Sequence, residues 1–138
     1  PFQRQYIHEF LERVLTGRAG EVDALFERYR EALEQHRFPQ ADLAKREVLS
    51  TPPERYREKL EKGETRRSAA YELVLASNRE YRQGDQVVFY VTGNKKSVSV
   101  SENSRLLGDA DENVRDENVP YYIDKLQRLH KKLRTALD

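Results

Sequence analysis

The residues best suited to chemistry in this sequence are cations, and they concentrate in the middle of the chain. Between positions 45 and 82 arginine and lysine recur at short intervals, at Lys45, Arg46, Arg55, Arg57, Lys59, Lys62, Arg66, Arg67, Arg79 and Arg82. The planar guanidinium of arginine matches paired phosphate oxygens better than an ammonium group does. The region is therefore suited to binding phosphates. The alternative is a solvated helix face whose cations pair with Glu58, Glu61 and Glu64.

Two pairs of cations are the first candidates for direct phosphate contact. Arg66 and Arg67 fall at the start of a helix predicted over residues 66–77, where free backbone N–H groups and the helix dipole also favour an anion. Lys95 and Lys96 lie at the predicted tip of a β-hairpin and form a second candidate patch. The alternative for this second pair is a turn that only keeps the hairpin tip soluble.

Patterns typical of catalysis or of a resident metal do not occur in the sequence. Without cysteine there is no thiolate nucleophile and no cysteine-ligated zinc site. No Gly-x-Ser-x-Gly turn or Ser-x-x-Lys cluster is present, and His8, His36 and His130 fall in separate predicted helices. Asp109 and Asp111 could offer oxygen ligands to a hard cation, but their loop lacks the calcium-binding pattern. We therefore expect no catalytic residue and no metal site.

The composition predicts a polar chain with a thin core. Hydrophobic residues make up 37% and charged residues 36%, and the mean hydropathy is -0.93, which favours helices with one buried stripe each. At 138 residues the chain is long enough for one domain and short for two. The absence of cysteine favours a reducing, intracellular compartment. Because the chain contains no methionine, we expect it to be a piece of a longer protein.

The charges are segregated although the net charge is only +1. The stretch from 102 to 117 is acidic, whereas the last predicted helix is basic through Lys125, Arg128, Lys131, Lys132 and Arg134. Such a pattern gives a positive and a negative face to a nearly neutral molecule. No run of about 18 apolar residues is present, so the sequence predicts no membrane-spanning helix.

The elements that must position these side chains are mostly helices. Apolar residues at intervals of three and four predict helices over about 2–16, 20–36, 53–62, 66–77 and 119–137. Residues 43–49 are either extended or a short helical turn. Alternating residues predict a hairpin over about 85–101, with strands at 87–91 and 97–101, and an acidic surface loop over 102–118. The predicted fold class is α+β, mainly α, with a small antiparallel β-hairpin.

Several short motifs follow one another in a characteristic order. A Gly-Asp-Gln-Val-Val-Phe-Tyr-Val run begins at Gly84, and Tyr-Tyr-Ile occupies 121–123, about thirty residues later. Pro-Glu-Arg-Tyr-Arg at 53–57 and Arg-Arg-Ser-Ala-Ala at 66–70 precede them. In this order the motifs resemble the C-terminal thumb of family B DNA polymerases, which has Pro-x-x-Tyr-Lys, Pro-His-Val, Gly-Asp-x-Val-x-Tyr and Tyr-Tyr-Ile elements in sequence.

The resemblance extends over nearly the whole chain and includes departures. Residues 2–15 look like the last palm helix, residues 21–35 resemble the helix that crosses into the thumb, and residues 38–46 resemble its short basic segment. Arg67 replaces the histidine of the Pro-His-Val motif, and Asp124-Lys125 replaces the usual Asn-Gln after Tyr-Tyr-Ile. Nothing cysteine-rich follows the last helix, which favours a bacterial or archaeal-type member.

The resemblance implies a last palm helix at 1–17 and a thumb domain at 18–138, expected as a single globular unit that holds primer–template duplex DNA through its phosphate backbone without sequence specificity. The parent would be a DNA-directed DNA polymerase, a nucleotidyltransferase, and this segment alone would be inactive. Its Mg²⁺ would be bound by the absent palm. The implied partners are the duplex and the palm and fingers of the parent, with no membrane, in a prokaryotic cytoplasm at the nucleoid. The implied DNA-binding residues are Lys45, Arg46, Arg55, Tyr56, Arg57, Arg66, Arg67, Lys95 and Lys96.

Two other functions fit the residues. Apolar helix stripes could dock a partner helix, which would make the chain a helical protein-interaction module with no role in binding nucleic acid. An RNA-binding module is the third possibility. Tyr121 and Tyr122 are expected to pack in the core and at its rim rather than to stack on bases.

Overall fold

The structure is a computed structural model that describes residues 1–137, which form α-helices and one small sheet. The elements are α1 (Phe2–Leu15), α2 (Val22–Glu34), α3 (Gln40–Leu43), β1 (Lys45–Val48), α4 (Pro53–Glu61), α5 (Ala69–Ala76), β2 (Gln86–Val91), β3 (Ser104–Leu106) and α6 (Val119–Leu137). Short 3-10 turns occupy Ala19–Glu21 and Leu107–Asp109. The α+β, mainly α, fold class is confirmed. None of the described helices is both long and apolar enough to cross a membrane.

The chain divides into two units that are interleaved in sequence. The helical unit comprises Pro1–Leu43, Asn94–Ser97 and the chain from Asn118 onward. The sheet unit comprises Ala44–Gly93 and Val98–Glu117. All ten cations of the basic region at 45–82 therefore belong to the sheet unit, and Lys95 and Lys96 belong to the helical unit.

Aromatic side chains hold the helical unit together. Phe2, Tyr6 and Phe10 recur every four residues on α1 and are buried, which matches the stripe that the sequence predicts. The ring of Phe2 meets Tyr122 of α6 edge to face at 5.8 Å, and Tyr6 meets Tyr29 of α2 at 4.9 Å. The predictions for α1, α2 and α6 are thus confirmed to within two residues at each end.

The sheet unit is built on β2, which pairs with a strand on each side. The strand order is β1-β2-β3 and both pairings are antiparallel. The core of this unit consists of Leu49, Ala69, Ala70, Val74, Val87, Phe89 and Leu106. Since β2 is buried along most of its length, its almost continuous apolar sequence is explained by burial on both faces.

The predicted hairpin over 85–101 is wrong in its second strand. The strand that pairs with β2 is β3 at Ser104–Leu106, in a register that places Phe89 opposite Leu106. Burying Leu106 removes more apolar surface from water than burying a valine of the 97–101 run would. That run instead leads into a turn, because the carbonyl of Ser99 accepts the N–H groups of Glu102 and Asn103.

Two other segments also differ from a simple loop: 102–118 and 43–49. The segment 102–118, expected to be a loop, contains β3, a 3-10 turn and an isolated bridge between Thr92 and Glu117. The ambiguous segment 43–49 contains strand β1. Strand β1 pairs with the edge of β2 that lies opposite β3. This pairing depends on tertiary contacts, which local residue preferences do not encode.

The helix predicted over 66–77 begins three residues late, at Ala69. Ser68 precedes it in an extended conformation, with φ -124° and ψ 125°, and its side chain makes no capping hydrogen bond. Arg66 and Arg67 therefore lie on the non-helical segment that enters α5 and not in the first turn of the helix.

Candidate nucleic-acid interface

Helix α4 presents two arginines on either side of a buried tyrosine. Pro53 occupies the first turn, where its fixed φ and missing N–H are tolerated. Tyr56 points inward with 3% of its surface exposed. Consecutive residues of a helix are rotated by about 100°, so Arg55 and Arg57 leave the helix on opposite flanks, and both are exposed. They do not form a single row.

Tyr56 itself lies in the interior. Its ring is stacked on Tyr71 with the centroids 4.8 Å apart and the planes 8° from parallel. Its hydroxyl accepts the backbone N–H of Ser68 at 3.0 Å and donates to Oε1 of Glu72 at 3.3 Å. Burial raises the pKa of Tyr56, so the hydroxyl stays protonated and able to donate. The ring is unavailable to a ligand, which corrects its place among the predicted DNA contacts, and no sequence pattern indicated the partners of the hydroxyl.

The non-helical segment before α5 carries two arginines, of which one forms an ion pair with a described residue and the other does not. Nη1 of Arg67 lies 3.0 Å from Oε1 of Glu72, and their side chains are 61% and 28% exposed. Arg66 is exposed and takes part in no ion pair with the residues described. An exposed ion pair contributes about 0–1 kcal/mol, so a phosphate could displace Glu72 from Arg67 at low cost.

Strand β1 carries the remaining candidates of the sheet unit, Lys45 and Arg46. Nζ of Lys45 lies 3.0 Å from Oε1 of Glu47, and Nη1 of Arg46 donates to Oε1 of Gln86 at 3.2 Å. β1 is an edge strand, where charged side chains also discourage pairing with another chain. Both cations are exposed, so their contacts with Glu47 and Gln86 are weak.

The carboxylates expected to neutralise the basic region are not the ones that do so. Among the ion pairs of residues 1–137, none joins an arginine of this region to Glu58, Glu61 or Glu64. The partners are Glu72, which follows Arg67, and Asp109, whose Oδ1 lies 2.8 Å from Nη2 of Arg79. Spacing along one helix could not identify these partners, because Arg67 lies outside α5 and Arg79 is 30 residues from Asp109 in sequence.

Lys95 and Lys96 lie in the helical unit, both exposed, in a turn that follows Gly93. Gly93 has φ 104°, a conformation that residues with a side chain rarely adopt. The carbonyl of Lys95 accepts a hydrogen bond from Nδ2 of Asn118 at 2.8 Å. Oδ1 of the same asparagine accepts the N–H of Tyr121 and caps α6. The lysine turn is therefore anchored to the start of the last helix.

The acidic stretch contains charge pairs that the sequence did not predict. Asp116 accepts hydrogen bonds from the hydroxyl of Tyr90 at 2.5 Å and from Nε of Arg105 at 2.6 Å. Nη2 of Arg115 lies 2.7 Å from Oε2 of Glu117, whose side chain is only 2% exposed. Burial pushes the pKa of Asp116 up, but the bonds from Tyr90 and Arg105 outweigh it, so the pKa lies below its ordinary value.

The described part of the chain offers no group of three histidine, aspartate or glutamate side chains that could hold a metal ion. Asp109 and Asp111, the sequence-based candidates for binding a hard cation, do not form such a group, and Asp109 is paired with Arg79. The side chains of residues 1–137 therefore offer no ready-made magnesium site.

Comparisons with known proteins show a likeness of fold but no match in sequence. No protein-family profile and no curated protein matches the chain. Among solved structures the chain is similar to the family B DNA polymerase from the hyperthermophilic archaeon Pyrobaculum calidifontis, with a TM-score of 0.71 and 20% sequence identity. The likeness covers 93% of this chain and 17% of that polymerase. Nearly all of the chain thus shares the fold of one part of a family B DNA polymerase, and it spans less than a fifth of that protein's length.

Proposed function

We propose that the chain is the thumb, with the last palm helix, of a family B DNA-directed DNA polymerase, and that it holds primer–template duplex through the phosphate backbone. The observation that carries this proposal is the fold likeness to such a polymerase over 93% of the chain. The order of the motifs at 84–91 and 121–123, which resembles the C-terminal end of the family, supports the choice of the thumb.

The exposed cations of the sheet unit suit this role physically. Duplex DNA carries one negative charge per about 1.7 Å of axis, and a protein that must slide along any sequence needs phosphate contacts rather than base contacts. Arg55, Arg57 and Arg66 are exposed and take part in no ion pair with the described residues. Lys45, Arg46 and Arg67 are exposed and weakly held. These side chains are the proposed contacts, and Lys95 and Lys96 form a separate candidate patch.

The other parts of the parent enzyme would supply the chemistry. Nucleotidyl transfer with Mg²⁺ belongs in this proposal to a palm outside the chain, and the fingers would complete the enzyme. The proposed setting is the nucleoid of a prokaryotic cytoplasm. By itself the chain would bind duplex and transfer no nucleotide.

The proposal is tested by measuring duplex binding as a function of salt. We expect the isolated chain to bind a primer–template duplex weakly, with the same affinity for scrambled sequences and a steep fall in affinity between about 50 and 200 mM salt. Replacing Arg55, Arg57 and Arg66 together with alanine should reduce the slope of log K against log salt by about 0.9 for each phosphate that the variant no longer neutralises. Tighter binding of structured RNA than of duplex DNA would favour an RNA-binding module instead.

One observation favours a second candidate, a helical protein-interaction module. On α1, Leu11 is 45% and Leu15 is 84% exposed, and residues four apart lie on one face of a helix. In a polymerase this face would be available to the rest of the enzyme. Self-association in sedimentation that Leu15→Gln abolishes, together with no binding to duplex at any ionic strength, would establish the interaction module and reject the thumb.

A further inference from the structure

The hydroxyl of Tyr56 joins helix α4 to the segment that carries the arginine pair. It accepts the N–H of Ser68 at 3.0 Å and donates to Oε1 of Glu72 at 3.3 Å. The same carboxylate oxygen accepts from Nη1 of Arg67 at 3.0 Å. One phenolic oxygen therefore fixes both the backbone that follows Arg67 and the carboxylate that holds the Arg67 side chain.

The side chain of Ser68 does not replace this anchor at the start of α5. Its hydroxyl makes no capping hydrogen bond, so the phenol of Tyr56 is the acceptor that sets how the chain enters the helix. The ring of Tyr56 is held independently of its hydroxyl, because it is 3% exposed and stacked on Tyr71. Removing the oxygen alone should release the segment and leave the packing in place.

We propose that Tyr56 is a positioning residue for phosphate binding: its hydroxyl holds the non-helical segment 66–68 so that Arg66 faces solvent ready for a phosphate, while Arg67 is paired with Glu72 until a phosphate displaces that carboxylate. This inference rests on the proposed function and adds to it the residue that positions Arg66 for phosphate contact. Tyr56 touches no DNA in this scheme. It acts through the backbone that carries Arg66.

The physical gain is preorganisation. Ordering a loop and an arginine side chain when a ligand binds has an entropic cost for each immobilised side chain, and a segment that is already held avoids part of that cost. Loss of the hydroxyl should therefore weaken duplex binding by about three- to tenfold. Most of this loss of affinity should depend on the presence of the Arg66 side chain.

The test is a double-mutant cycle of Tyr56→Phe and Arg66→Ala in the whole chain, with duplex affinity and thermal stability measured for each variant. We expect each single variant to bind more weakly than the wild type. We expect Tyr56→Phe to reduce affinity little further in the R66A background, whereas its effect on the melting temperature should be the same in both backgrounds. Non-additive binding with additive stability is the signature of positioning.

Tyr71→Phe is the matched control. It removes the hydroxyl from the other ring of the same stack, but that hydroxyl bonds to Thr51, by accepting its N–H at 3.1 Å, and not to the arginine segment. Removing it should lower stability and leave duplex affinity within about twofold of the wild type.

The outcomes separate the two proposals. If R66A weakens binding and Tyr56→Phe weakens it equally in both backgrounds, or not at all, the positioning role is overturned and the proposed function stands. If R66A binds duplex as tightly as the wild type, the positioning role is overturned as well. A wild-type chain that binds no duplex overturns the proposed function and this inference with it.

Discussion

At the scale of single residues, tyrosine hydroxyls anchor this fold. The hydroxyl of Tyr6 is hydrogen-bonded to Nδ1 of His130 at 2.5 Å. The hydroxyl of Tyr29 donates to Glu9, and that of Tyr90 donates to Asp116 at 2.5 Å. Burial raises the pKa of all three tyrosines, so each hydroxyl keeps its proton over the ordinary pH range. A thin core gains rigidity from such bonds, because each large ring supplies buried area and its polar end is satisfied.

Tyr90 and Arg105 both donate to the carboxylate of Asp116, which should make this residue important for acid stability. The pKa of Asp116 is lowered in the folded chain, so its contribution to stability is present above the unfolded value of about 3.9 and is lost as the pH falls through the folded pKa. Asp116→Asn should lower the free energy of unfolding by about 1–3 kcal/mol at neutral pH and weaken its dependence on pH below about 4. Urea unfolding over a pH series measures both.

Asp109→Asn provides the control for this prediction. It removes the same charge from an ion pair with Arg79 in which both side chains are about half exposed, so the unfolding free energy should change by less than about 0.5 kcal/mol. An Asp116→Asn variant whose unfolding free energy falls with acid as steeply as in the wild type would show that this carboxylate does not govern acid stability.

Among the secondary-structure elements, the buried side chains of the central strand β2 determine which segments pair with it. Its buried side chains require apolar cross-strand partners, and Leu106 meets Phe89 where the Ser-Val run could offer only smaller residues. Pairing register follows from which side chains are buried. The segment 97–103 forms a turn because β3 occupies the place beside β2. The alternation of serine and valine at 97–101 therefore does not produce a strand.

Amide hydrogen exchange tests this arrangement. We expect the amides of Val87, Phe89 and Val91 to exchange slowly, because they lie in the central strand of the sheet, and the amides of 97–101 to exchange much faster. The backbone N–H of Thr92, which donates to the carbonyl of Asn103 at 3.0 Å, marks the end of the β2–β3 pairing and should show intermediate protection. Protection of 97–101 equal to that of β2 would restore the hairpin over 85–101.

At the scale of the whole molecule, the chain shares the fold of one part of a much longer polymerase and offers no metal-binding cluster in the residues described. Such a part can change how long an enzyme stays on its substrate without changing its bond-forming step. The proposed thumb would therefore act on processivity, through contacts that are made equally in the ground state and the transition state.

In a polymerase that contains this chain, replacing Arg66 and Arg67 together with alanine should shorten the products made per binding event more than it slows insertion of a single nucleotide. The physical reason is that both side chains would contact phosphates of duplex already made and not the reacting atoms. Primer extension with a DNA trap, beside single-turnover insertion rates, measures the two effects separately. Lys131→Ala with Lys132→Ala, which removes two adjacent exposed cations of α6, is the matched control and should affect neither.

Sequence patterns are sufficient to predict helices α1, α2, α4 and α6 and the fold class. The intervals of Phe2, Tyr6 and Phe10, and the proline at the start of α4, define helices whose ends are confirmed to within a residue or two. Helical periodicity is a local property, and a stripe of apolar side chains identifies its own buried face. The basic character of the region 45–82 is equally a property of the sequence alone.

Strand pairing and the contacts of the charged and hydroxyl groups become visible in the folded structure. The sequence could not show that Leu106 faces Phe89, that Asp109 pairs with Arg79, or that Tyr56 is an internal anchor rather than a surface residue. These contacts join residues that are brought together by the packing of separate elements, and the energy that selects among them comes from burial and from satisfying buried polar groups. No local pattern carries that information, because it exists only once the chain has folded.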